Sequence, residues 1–478
     1  MYDTIVLGND PGSLVAAVTL ANQGKKTLLL TEDTPLCYSE SGYTFDIDPF
    51  PWSGFNRGNL FKQFLSHSGI LPEEPPLPSP LQIIFQKHRI DLYGMMERDI
   101  REIEREFPDK ASGIAGFYNS LSRSGQFVSG LIDKGLHLRP EKLKEHLRLL
   151  VTLPFIGLRK RDFTAKLKAL QQVSTLGKVM EAQILLLSHL DPHTISPIAA
   201  ARTLSTALQG VFHHREGKHL LMGRLKKKFE ADGGVIDENP VSTLEMERVI
   251  KVNLQPGEAQ EDSIPTIYGR NIIISTYCDK LSSLMEGNRA FGSLRKRYGR
   301  IQPSLYPVTL HLGVYDRCIP EKMGPYVVVI SDETKPAEEG NFLFLEISEP
   351  GNLLRAPEGK RALSLTSFVN NAPAEAEENT LQAVMEDMLK NVRFFLPFLG
   401  ENIDFINLQE SIRISKRYQK TRGLKYKAKN PLNGLSFLSG KTPLKNVYLT
   451  GNALIPGLGF EGEIISGINA ARLATERG

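Results

Sequence analysis

The chain has 478 residues and a formal net charge of only +4 at pH 7, which is too small for this length to indicate a nucleic-acid-binding protein. Hydrophobic residues make up 41% and charged residues 23% of the chain, the ordinary balance of a globular protein. Because one hydrophobic core rarely grows to this length, we expect two closely joined domains.

The cysteines and the apolar runs limit where the protein is expected to work. Cys37, Cys278 and Cys318 are far apart and odd in number, so they predict neither a disulfide framework nor a paired-cysteine metal site. No targeting segment precedes the first predicted strand, and no segment reaches the roughly 20 apolar residues of a membrane-spanning helix. We therefore expect a cytoplasmic protein that contacts a membrane, where it does so, only at the membrane surface.

The first thirty residues predict a strand, a helix and a second strand. An apolar run ends at Gly8, helical periodicity continues to Gly24, and a continuously apolar strand from Thr27 to Thr31 is closed by Glu32. A strand, helix and strand of this length are typical of a βαβ unit with a buried pair of parallel strands.

The later elements are predicted in the order short strands, helices, strands, one long helix, and a last strand and helix. Short strands are expected at 43–50 and 81–92, helices between 95 and 210 and at 215–232, strands at 235–236, 244–254, 267–275 and between 305 and 370, a long helix at 374–395, and a terminal strand at 446–449 followed by a helix from Gly462. A strand, Gly-rich turn and helix at each end of the chain indicate that the two ends rebuild one domain.

The predicted fold class is therefore α/β, with a Rossmann-like dinucleotide-binding domain built from both chain ends and a mixed α+β substrate domain. We assign residues 1–75, 211–280 and 440–478 to the dinucleotide-binding domain. Residues 76–210 and 281–439 are assigned to the substrate domain, whose helical part is a candidate membrane-facing surface.

The turn between the first strand and helix is a modified phosphate-binding loop. Such a loop needs small residues at three positions, for the tight turn, for close approach of the pyrophosphate and for packing of helix on strand. Gly8 and Ser13 meet the first and third needs, Asp10 stands at the second, and Gly12 adds a further glycine. Glu32, about 20 residues downstream, lies where an acid binds the adenosine ribose.

Asp10 allows two interpretations of this loop. A carboxylate there adds bulk and negative charge where a dianionic pyrophosphate should lie, next to the free amides of the helix. Asp10 is also a good N-cap and Pro11 a favoured first helical residue, so the protein is expected to cap its own helix and fill the anion site itself. The alternative is that a flavin still binds, with the cofactor shifted or a neighbouring cation screening the acid.

Three stretches together resemble the phytoene desaturase and carotenoid isomerase group of FAD-dependent oxidoreductases, in the flavin amine oxidase-type superfamily. They are Tyr2–Glu32, Ser41–Pro49 and the terminal strand, Gly-rich turn and helix of Asn446–Gly467, with weaker likeness at 210–254 and 356–359. The resemblance implies that FAD is the cofactor. It places Gly451, Asn452, Gly459 and Gly462 beside the isoalloxazine ring and ribityl chain, and Val241 on the adenine side.

The resemblance has two departures besides Asp10, and one of them is a Gly-Gly pair that is reduced to one glycine near Gly217 and Lys218. The family has a Gly-Gly-Arg-type segment after the ribose acid, whereas this chain has Pro35–Glu40, which lacks both glycines and the cation. Asp10 and the Leu36–Ser39 segment are independent losses in one pocket, and together they predict a flavin fold that has lost or changed its cofactor.

The resemblance implies an FAD-dependent oxidoreductase or isomerase that acts on a lipophilic polyene or isoprenoid-like substrate, and no catalytic acid or base can be named. The alternative is a non-catalytic relative with a self-capped phosphate site that binds a ligand or a protein partner. A third hypothesis is a nucleotide-binding protein that uses Glu32 for a different dinucleotide.

Two basic or histidine-rich segments add weaker hypotheses. The apolar stretch 147–158 is followed by Arg159–Arg161, Lys166 and Lys168, which is typical either of membrane docking or of a buried helix that ends in solvated charges. His213, His214 and His219 have no cysteine or aspartate at ligand spacing, so we interpret them as surface histidines and expect no metal.

Overall fold

The computed structural model describes residues 1–32, 35–53, 60–70, 77–133, 164, 174–246, 249–255, 265–278, 281, 289–335, 340–418, 423–427 and 438–476. The strands are β1 Tyr2–Leu7, β2 Thr27–Leu30, β3 Cys37–Glu40, β4 Tyr43–Asp46, β5 Leu77–Ser79, β6 Leu81–Ile84, β7 Arg89–Leu92, β8 Val211–His213, β9 Val235–Asp237, β10 Val241–Met246, β11 Ile250–Leu254, β12 Thr266–Ser275, β13 Pro303–Tyr315, β14 Tyr326–Ile330, β15 Phe342–Ile347, β16 Lys360–Val369, β17 Ile403–Ile406, β18 Lys425–Tyr426 and β19 Val447–Thr450. The helices are α1 Pro11–Asn22, α2 Leu60–His67, α3 Met96–Glu106, α4 Ala111–Asp133, α5 Ser174–Leu187, α6 Pro197–Ala207, α7 Lys218–Ala231, α8 Gly292–Tyr298, α9 Glu378–Phe395, α10 Leu408–Arg417 and α11 Gly459–Thr475.

The first sheet joins the two ends of the chain. Within the described residues it has seven strands in the order β10-β11-β12-β1-β2-β9, and β19 also pairs with β12. Strand β1 is parallel to β2 and β12, and β12 is parallel to β19. Because Leu7 is in register with Ile274, and Ile274 with Leu449, the carboxyl ends of these strands lie at one edge. The predicted α/β fold class with a domain rebuilt from both ends is confirmed.

Helix α1 is apolar almost all round because it is enclosed on several sides. Residues from Gly12 to Val18 are buried, and the same cluster contains residues of α7, α11 and the sheet. Gly12 and Gly467 allow α1 and α11 to touch, since a Cβ on Gly467 would overlap the Gly12 carbonyl oxygen. The opening and closing helices therefore pack backbone against backbone over the sheet.

The second sheet has eight strands within the described residues, in the order β17-β13-β16-β15-β14-β6-β7, with β18 paired to β13. Strand β14 is buried on both faces because helices lie on each side of it. Tyr326, Val328 and Ile330 point to the side of α3–α6, whereas Val327 and Val329 pack with α9 and α10. This alternation explains why β14 has a continuously apolar sequence.

Three predicted elements differ from the structure. The strand expected at 81–92 is a hairpin of β6 and β7, which pair antiparallel. The single strand expected at 244–254 is a hairpin of β10 and β11, which pair antiparallel. The terminal helix begins at Gly459 rather than at Gly462, because the left-handed φ of +52° at Gly459 starts the helix one turn earlier. The domain boundaries stay a prediction. The basic segment around Arg159–Arg161, Lys166 and Lys168 lies outside the described residues, and no described helix is long and apolar enough to cross a membrane.

Candidate functional site

The phosphate-type loop holds its own carboxylate. Gly8 has a φ of +143°, and a Cβ there would lie 2.6 Å from both the Ser13 Oγ and the Ser275 Cβ, so only glycine fits. Asp10 is the N-cap of α1, and its Oδ1 accepts hydrogen bonds from the Gly12 amide at 3.1 Å and the Ser13 amide at 3.2 Å. Its Oδ2 accepts the Ser13 hydroxyl at 2.6 Å.

Self-capping places a charged group where an external anion would bind. The amides of Gly12 and Ser13 are the free helix N–H groups that a pyrophosphate needs, and Asp10 already occupies them. Asp10 is 3% exposed, and no cation among the described residues forms an ion pair with it. The interpretation of Asp10 as a self-cap is therefore the one that the loop geometry supports.

Glu32 and Val241, which are predicted to lie near the adenosine part of the cofactor, contact each other. Glu32 follows β2 with a φ of +52°, a conformation that a non-glycine residue rarely adopts. Its Oε1 accepts a hydrogen bond from the Val241 amide at 3.2 Å, and its Oε2 lies 3.4 Å from the Cys278 sulfur. This backbone conformation directs the Glu32 carboxylate across the edge of the sheet toward β10, so residues 209 positions apart meet at this edge.

The predicted flavin-side residues lie in the turn after β19. Gly451 has a φ of +108°, and its amide donates to the Ser466 hydroxyl at 2.9 Å. Asn452 is 1% exposed, and its Oδ1 accepts from Thr276 Oγ1 at 3.2 Å and from the Tyr426 hydroxyl at 3.3 Å. Its Nδ2 has no partner among the described residues.

The two remaining glycines of this motif, Gly459 and Gly462, allow other backbone segments of the chain to pack closely against them. A Cβ on Gly459 would overlap the carbonyl oxygen of Leu187 at the end of α5, and one on Gly462 would overlap the carbonyl oxygen of Ile455. These glycines therefore let the protein backbone, rather than a ligand, approach the start of α11.

Glu463, next to Gly462, is a buried acid that sequence reasoning missed. It is 4% exposed, and its Oε1 lies 2.8 Å from His189 Nε2 and accepts the Tyr277 hydroxyl at 2.9 Å. Burial raises the pKa of Glu463, and the Asp10 carboxylate adds to the rise, while His189 opposes it. No local pattern signals this cluster, because His189 and Glu463 are 274 residues apart.

The residues present do not fit FAD in this arrangement. Eight of the ten predicted cofactor residues are buried against other parts of the chain, and only Gly8 and Glu32 are partly exposed. Two carboxyl groups, those of Asp10 and Glu463, are buried in the region where the resemblance places the cofactor. The segment that replaces Gly-Gly-Arg forms β3 of the β3–β4 hairpin instead of a second phosphate contact.

The prediction of surface histidines is wrong for His213 and His214, which are buried, and His219 is half-buried. His213 is fully enclosed in β8, His214 is buried, and the pKa of His214 is lowered to about 4 by burial and by nearby Arg224. The Nδ1 of His219 lies 2.8 Å from the Asp46 carboxylate. His213 and His214 are buried because β8 lies against the second sheet, where His213 packs on Tyr326. The described residues contain no cluster of three or more metal-ligating side chains.

A buried lysine was also missed. Lys425 in β18 is 1% exposed, and its Nζ donates to the Ser188 carbonyl oxygen at 2.8 Å. The surrounding sequence is polar and basic, so only the pairing of β18 with β13 reveals that this side chain points inward.

Comparisons with known proteins confirm the resemblance. No family model matches the chain. The chloroplastic prolycopene isomerase of Arabidopsis thaliana is 23% identical over 512 residues, covering 100% of this chain and 83% of that protein. The one from Daucus carota is 22% identical over 523 residues, covering 100% of this chain and 80% of that protein.

Solved structures share the fold across the whole chain. An oxidoreductase from Methanosarcina mazei has a TM-score of 0.59 at 14% identity, covering 98% of this chain and 99% of its own. Cyclohexylamine oxidase from Brevibacterium oxydans has a TM-score of 0.56 at 14% identity, with 99% of both chains covered. Rab GDI from Plasmodium falciparum has a TM-score of 0.54 at 10% identity, covering 100% of this chain and 98% of its own. The chain thus has the fold of the FAD-dependent oxidoreductases and resembles the carotenoid isomerases within it.

Proposed function

We propose that this protein binds a lipophilic polyene or another isoprenoid-like molecule without FAD, as a non-catalytic relative of the carotenoid isomerases. The full-length likeness to two prolycopene isomerases supports the ligand class. The self-cap made by Asp10 carries the proposal that FAD is not bound. On this proposal the fold serves as a binding module, for the ligand alone or together with a protein partner.

The energetics of the loop favour this choice over a flavin site. A pyrophosphate at the start of α1 would have to replace three hydrogen bonds to Asp10 and lie beside its buried charge. Like charges about 4 Å apart repel by roughly 4 kcal/mol at an effective dielectric constant of 20. No described cation offsets that repulsion.

The second candidate function is an FAD-dependent oxidoreductase or isomerase acting on the same class of substrate. The specific observation that favours it is that Glu32, Val241, Gly451 and Asn452 gather at the sheet edge where the resemblance places the cofactor. When bound, FAD would supply redox chemistry there. For this candidate the groove must open between α11 and the end of α5, and a cation must screen Asp10.

The absorbance spectrum of the purified protein, with an assay for released cofactor, separates the two candidates. We expect a colourless protein that stays free of flavin after incubation with excess FAD. Trp52 is the only tryptophan and stacks on Phe460 at 4.3 Å, so its fluorescence reports binding at the C-terminal motif. A yellow protein with one FAD per chain would instead establish the second candidate.

Two substitutions of Asp10 test the stated reason. Asp10→Gly removes the charge and the bulk, and we expect it to increase FAD retention measurably. Asp10→Asn is the matched control, because it keeps an oxygen that can cap α1 and removes only the charge. If both variants retain FAD, charge repulsion by Asp10 is what prevents binding. If only Asp10→Gly retains FAD, the bulk of the side chain is what prevents binding. Unchanged retention in both would contradict the proposed mechanism.

The ligand class has its own test. We expect β-carotene in detergent to quench Trp52 fluorescence in a saturable way, and a straight-chain alkane of similar length to do so much less. Flotation with liposomes tests whether the protein collects such a ligand at a membrane surface. A protein that binds neither the polyene nor liposomes does not have the proposed function.

A further inference from the structure

Two phenylalanine rings project into solvent at the end of α9. Phe394 is 72% exposed and Phe398 is 66% exposed, and Pro397 between them is exposed as well. They are the only phenylalanines that are exposed within the described residues. Because the two rings are only four residues apart, they form a patch, and exposed apolar patches mark sites of protein or membrane interaction.

The chain around the two rings is held so that they face outward. Leu396 and Leu399, which belong to the same segment, are buried in the core between α9 and the second sheet. The Asn402 Nδ2 donates to the Phe398 carbonyl oxygen at 2.7 Å, and the Asn402 Oδ1 accepts from Arg317 Nε at 2.6 Å. Turning the rings inward would break these contacts, so their exposure is built into the fold.

The charged side chains at this corner are mainly basic. Lys390 and Arg393 lie on the last two turns of α9 and are exposed, and Arg317, bonded to the turn that follows, is exposed too. Arg393 lies over that turn, since a Cβ on Gly400 would come within 3.3 Å of its Nε. Glu401 is the acid of the turn, and the exposed acids of α9 lie about two turns before the rings. Cations around exposed apolar rings are complementary to an anionic membrane surface.

A second exposed apolar pair has different surroundings. Leu353 is 70% exposed and Leu354 is 56% exposed, in the loop between β15 and β16. The charged side chains of that loop are Glu349, Glu358 and the fully buried Arg355. The leucine pair and the phenylalanine pair are similar in exposure but differ in the sign of the charge around them. Only the phenylalanine pair therefore suits an anionic surface.

We propose that this basic aromatic corner, made of Phe394, Phe398, Lys390, Arg393 and Arg317, docks the protein on an anionic membrane surface. The rings enter the headgroup layer, and the cations contact lipid phosphates. A bilayer yields around projecting side chains, whereas a protein partner needs a matching pocket for each ring. This inference rests on the proposed function, because docking brings the protein to the phase in which an isoprenoid-like ligand dissolves.

Flotation of the intact protein with liposomes tests this corner. The liposomes contain phosphatidylcholine with about 30% phosphatidylglycerol, and pure phosphatidylcholine serves for comparison. We expect the wild-type protein to float with the anionic liposomes, and the bound share to fall as salt is added. The double variant Phe394→Ser and Phe398→Ser should bind at least ~10-fold more weakly, because it removes both rings from the lipid. Since both positions are exposed, this variant should fold as the wild type does, which circular dichroism checks.

The matched control is the double variant Leu353→Ser and Leu354→Ser, which removes similarly exposed apolar side chains and should float like the wild type. Lys390→Gln with Arg393→Gln should weaken binding to anionic liposomes and leave binding to neutral ones unchanged. Flotation that the phenylalanine variant retains, or that the leucine variant loses to the same extent, would overturn the proposal. So would a wild-type dimer in sedimentation that the phenylalanine variant breaks up, since the corner would then bind a second copy of the chain.

Binding of β-carotene in detergent separates this inference from the proposed function. Saturable quenching of Trp52 by β-carotene without flotation refutes the membrane corner and leaves the ligand class standing. Flotation that depends on the two rings, without β-carotene binding, supports the corner and refutes the ligand class.

Discussion

Two side chains set the chemistry of the region where the resemblance places the nucleotide. Asp10 caps α1 with its carboxylate, and Glu463 lies just after the first turn of α11, where a Cβ on Gly12 would come within 2.9 Å of the Glu463 carbonyl oxygen. The two acids are therefore neighbours across the α1–α11 contact, and the Asp10 charge helps to raise the pKa of Glu463. A groove that binds a dianion in the resembling family here carries acidic groups of its own.

Lys425 predicts an unusual dependence of stability on pH. Its pKa is lowered from 10.5 to about 7 by burial, so below pH 7 the folded protein buries a charged amine, and between pH 7 and 10.5 only the unfolded chain keeps the proton. The unfavourable effect of Lys425 on the free energy of unfolding is thus complete below pH 7 and fades as the pH rises. We expect Lys425→Met to be more stable than wild type at pH 6, with the difference shrinking or reversing at pH 10.

Denaturant unfolding at pH 6, 8 and 10 measures this difference. The Met variant also loses the hydrogen bond to Ser188, which costs about 1–3 kcal/mol. At high pH this loss alone determines the stability difference between the variant and the wild type. Lys218→Met is the control, since it removes donors from two carbonyl groups and should destabilise the protein at pH 6. A Lys425→Met difference that does not change with pH would show that the buried amine is not the cause.

The loop residues could be predicted from the sequence because their roles are local. Asp10, Pro11 and Gly12 follow one another, so N-capping needs no knowledge of the rest of the fold. Lys425 and Glu463 could not be predicted in this way. Their burial depends on pairing with β13 and on contact with His189, and both partners are more than one hundred residues away.

At the scale of elements, the packing of α1 against α11 depends on two glycines, neither of which has a left-handed φ. Gly12 and Gly467 sit where the helices cross, and the space between their backbones leaves no room for a methyl group. The contact fixes the start of α1, and with it the phosphate-type loop, against the terminal motif.

We expect Gly467→Ala to lower the free energy of unfolding by about 1–3 kcal/mol, because its Cβ would overlap the Gly12 carbonyl oxygen. Gly223→Ala is the matched control within α7, where a Cβ meets nothing within 4 Å. There the change should stabilise the protein by up to about 1 kcal/mol, since alanine favours a helix interior. Equal effects of the two substitutions in thermal or denaturant unfolding would contradict the proposed close packing of α1 and α11.

Elements with a strong period were predicted most closely. The strands Tyr326–Ile330 and Phe342–Ile347, apolar except for Glu346, lie within the strand region predicted between 305 and 370, because both of their faces are buried and polar turns flank them. The β10–β11 hairpin was merged into one strand because its outer face is exposed at the edge of the sheet, so polar residues occur through both strands and the turn. The order of strands in the second sheet was not predictable, since it pairs β6 with β14 across more than two hundred residues.

At the scale of the whole molecule, the β3–β4 hairpin connects the two sheets. The Thr44 amide donates to the Arg355 carbonyl oxygen at 3.0 Å, next to the second sheet. Asp46 accepts the Lys218 amide at 3.0 Å, at the start of a helix that packs on the first sheet. One short hairpin is thus hydrogen bonded to both halves of the protein.

Arg355 holds this junction together. It is fully buried, and its guanidinium donates to both oxygens of Glu346 at 3.1 Å and to the Thr44 carbonyl at 2.7 Å, 3.7 Å from Asp46. Burial alone would raise the pKa of Asp46, but Arg355 and His219 outweigh it and lower that pKa. Asp46 therefore stabilises the folded protein above its ordinary pKa near 4, and this contribution is lost as the pH falls.

Replacing Arg355 should therefore weaken the whole molecule rather than one sheet. We expect Arg355→Met to lower the free energy of unfolding by about 3–5 kcal/mol at pH 7, because it leaves the Asp46 and Glu346 carboxylates buried without their cation. Acidification to pH 5 should recover part of the loss, since protonation removes the unpaired charges.

Arg413→Met, which breaks an exposed pair with Glu410, is the control and should change stability by less than about 1 kcal/mol. Denaturant unfolding followed by circular dichroism and by Trp52 fluorescence measures both variants. If Arg355→Met were no more destabilising than Arg413→Met, the junction would owe its stability to apolar packing, and the buried ion network would be incidental.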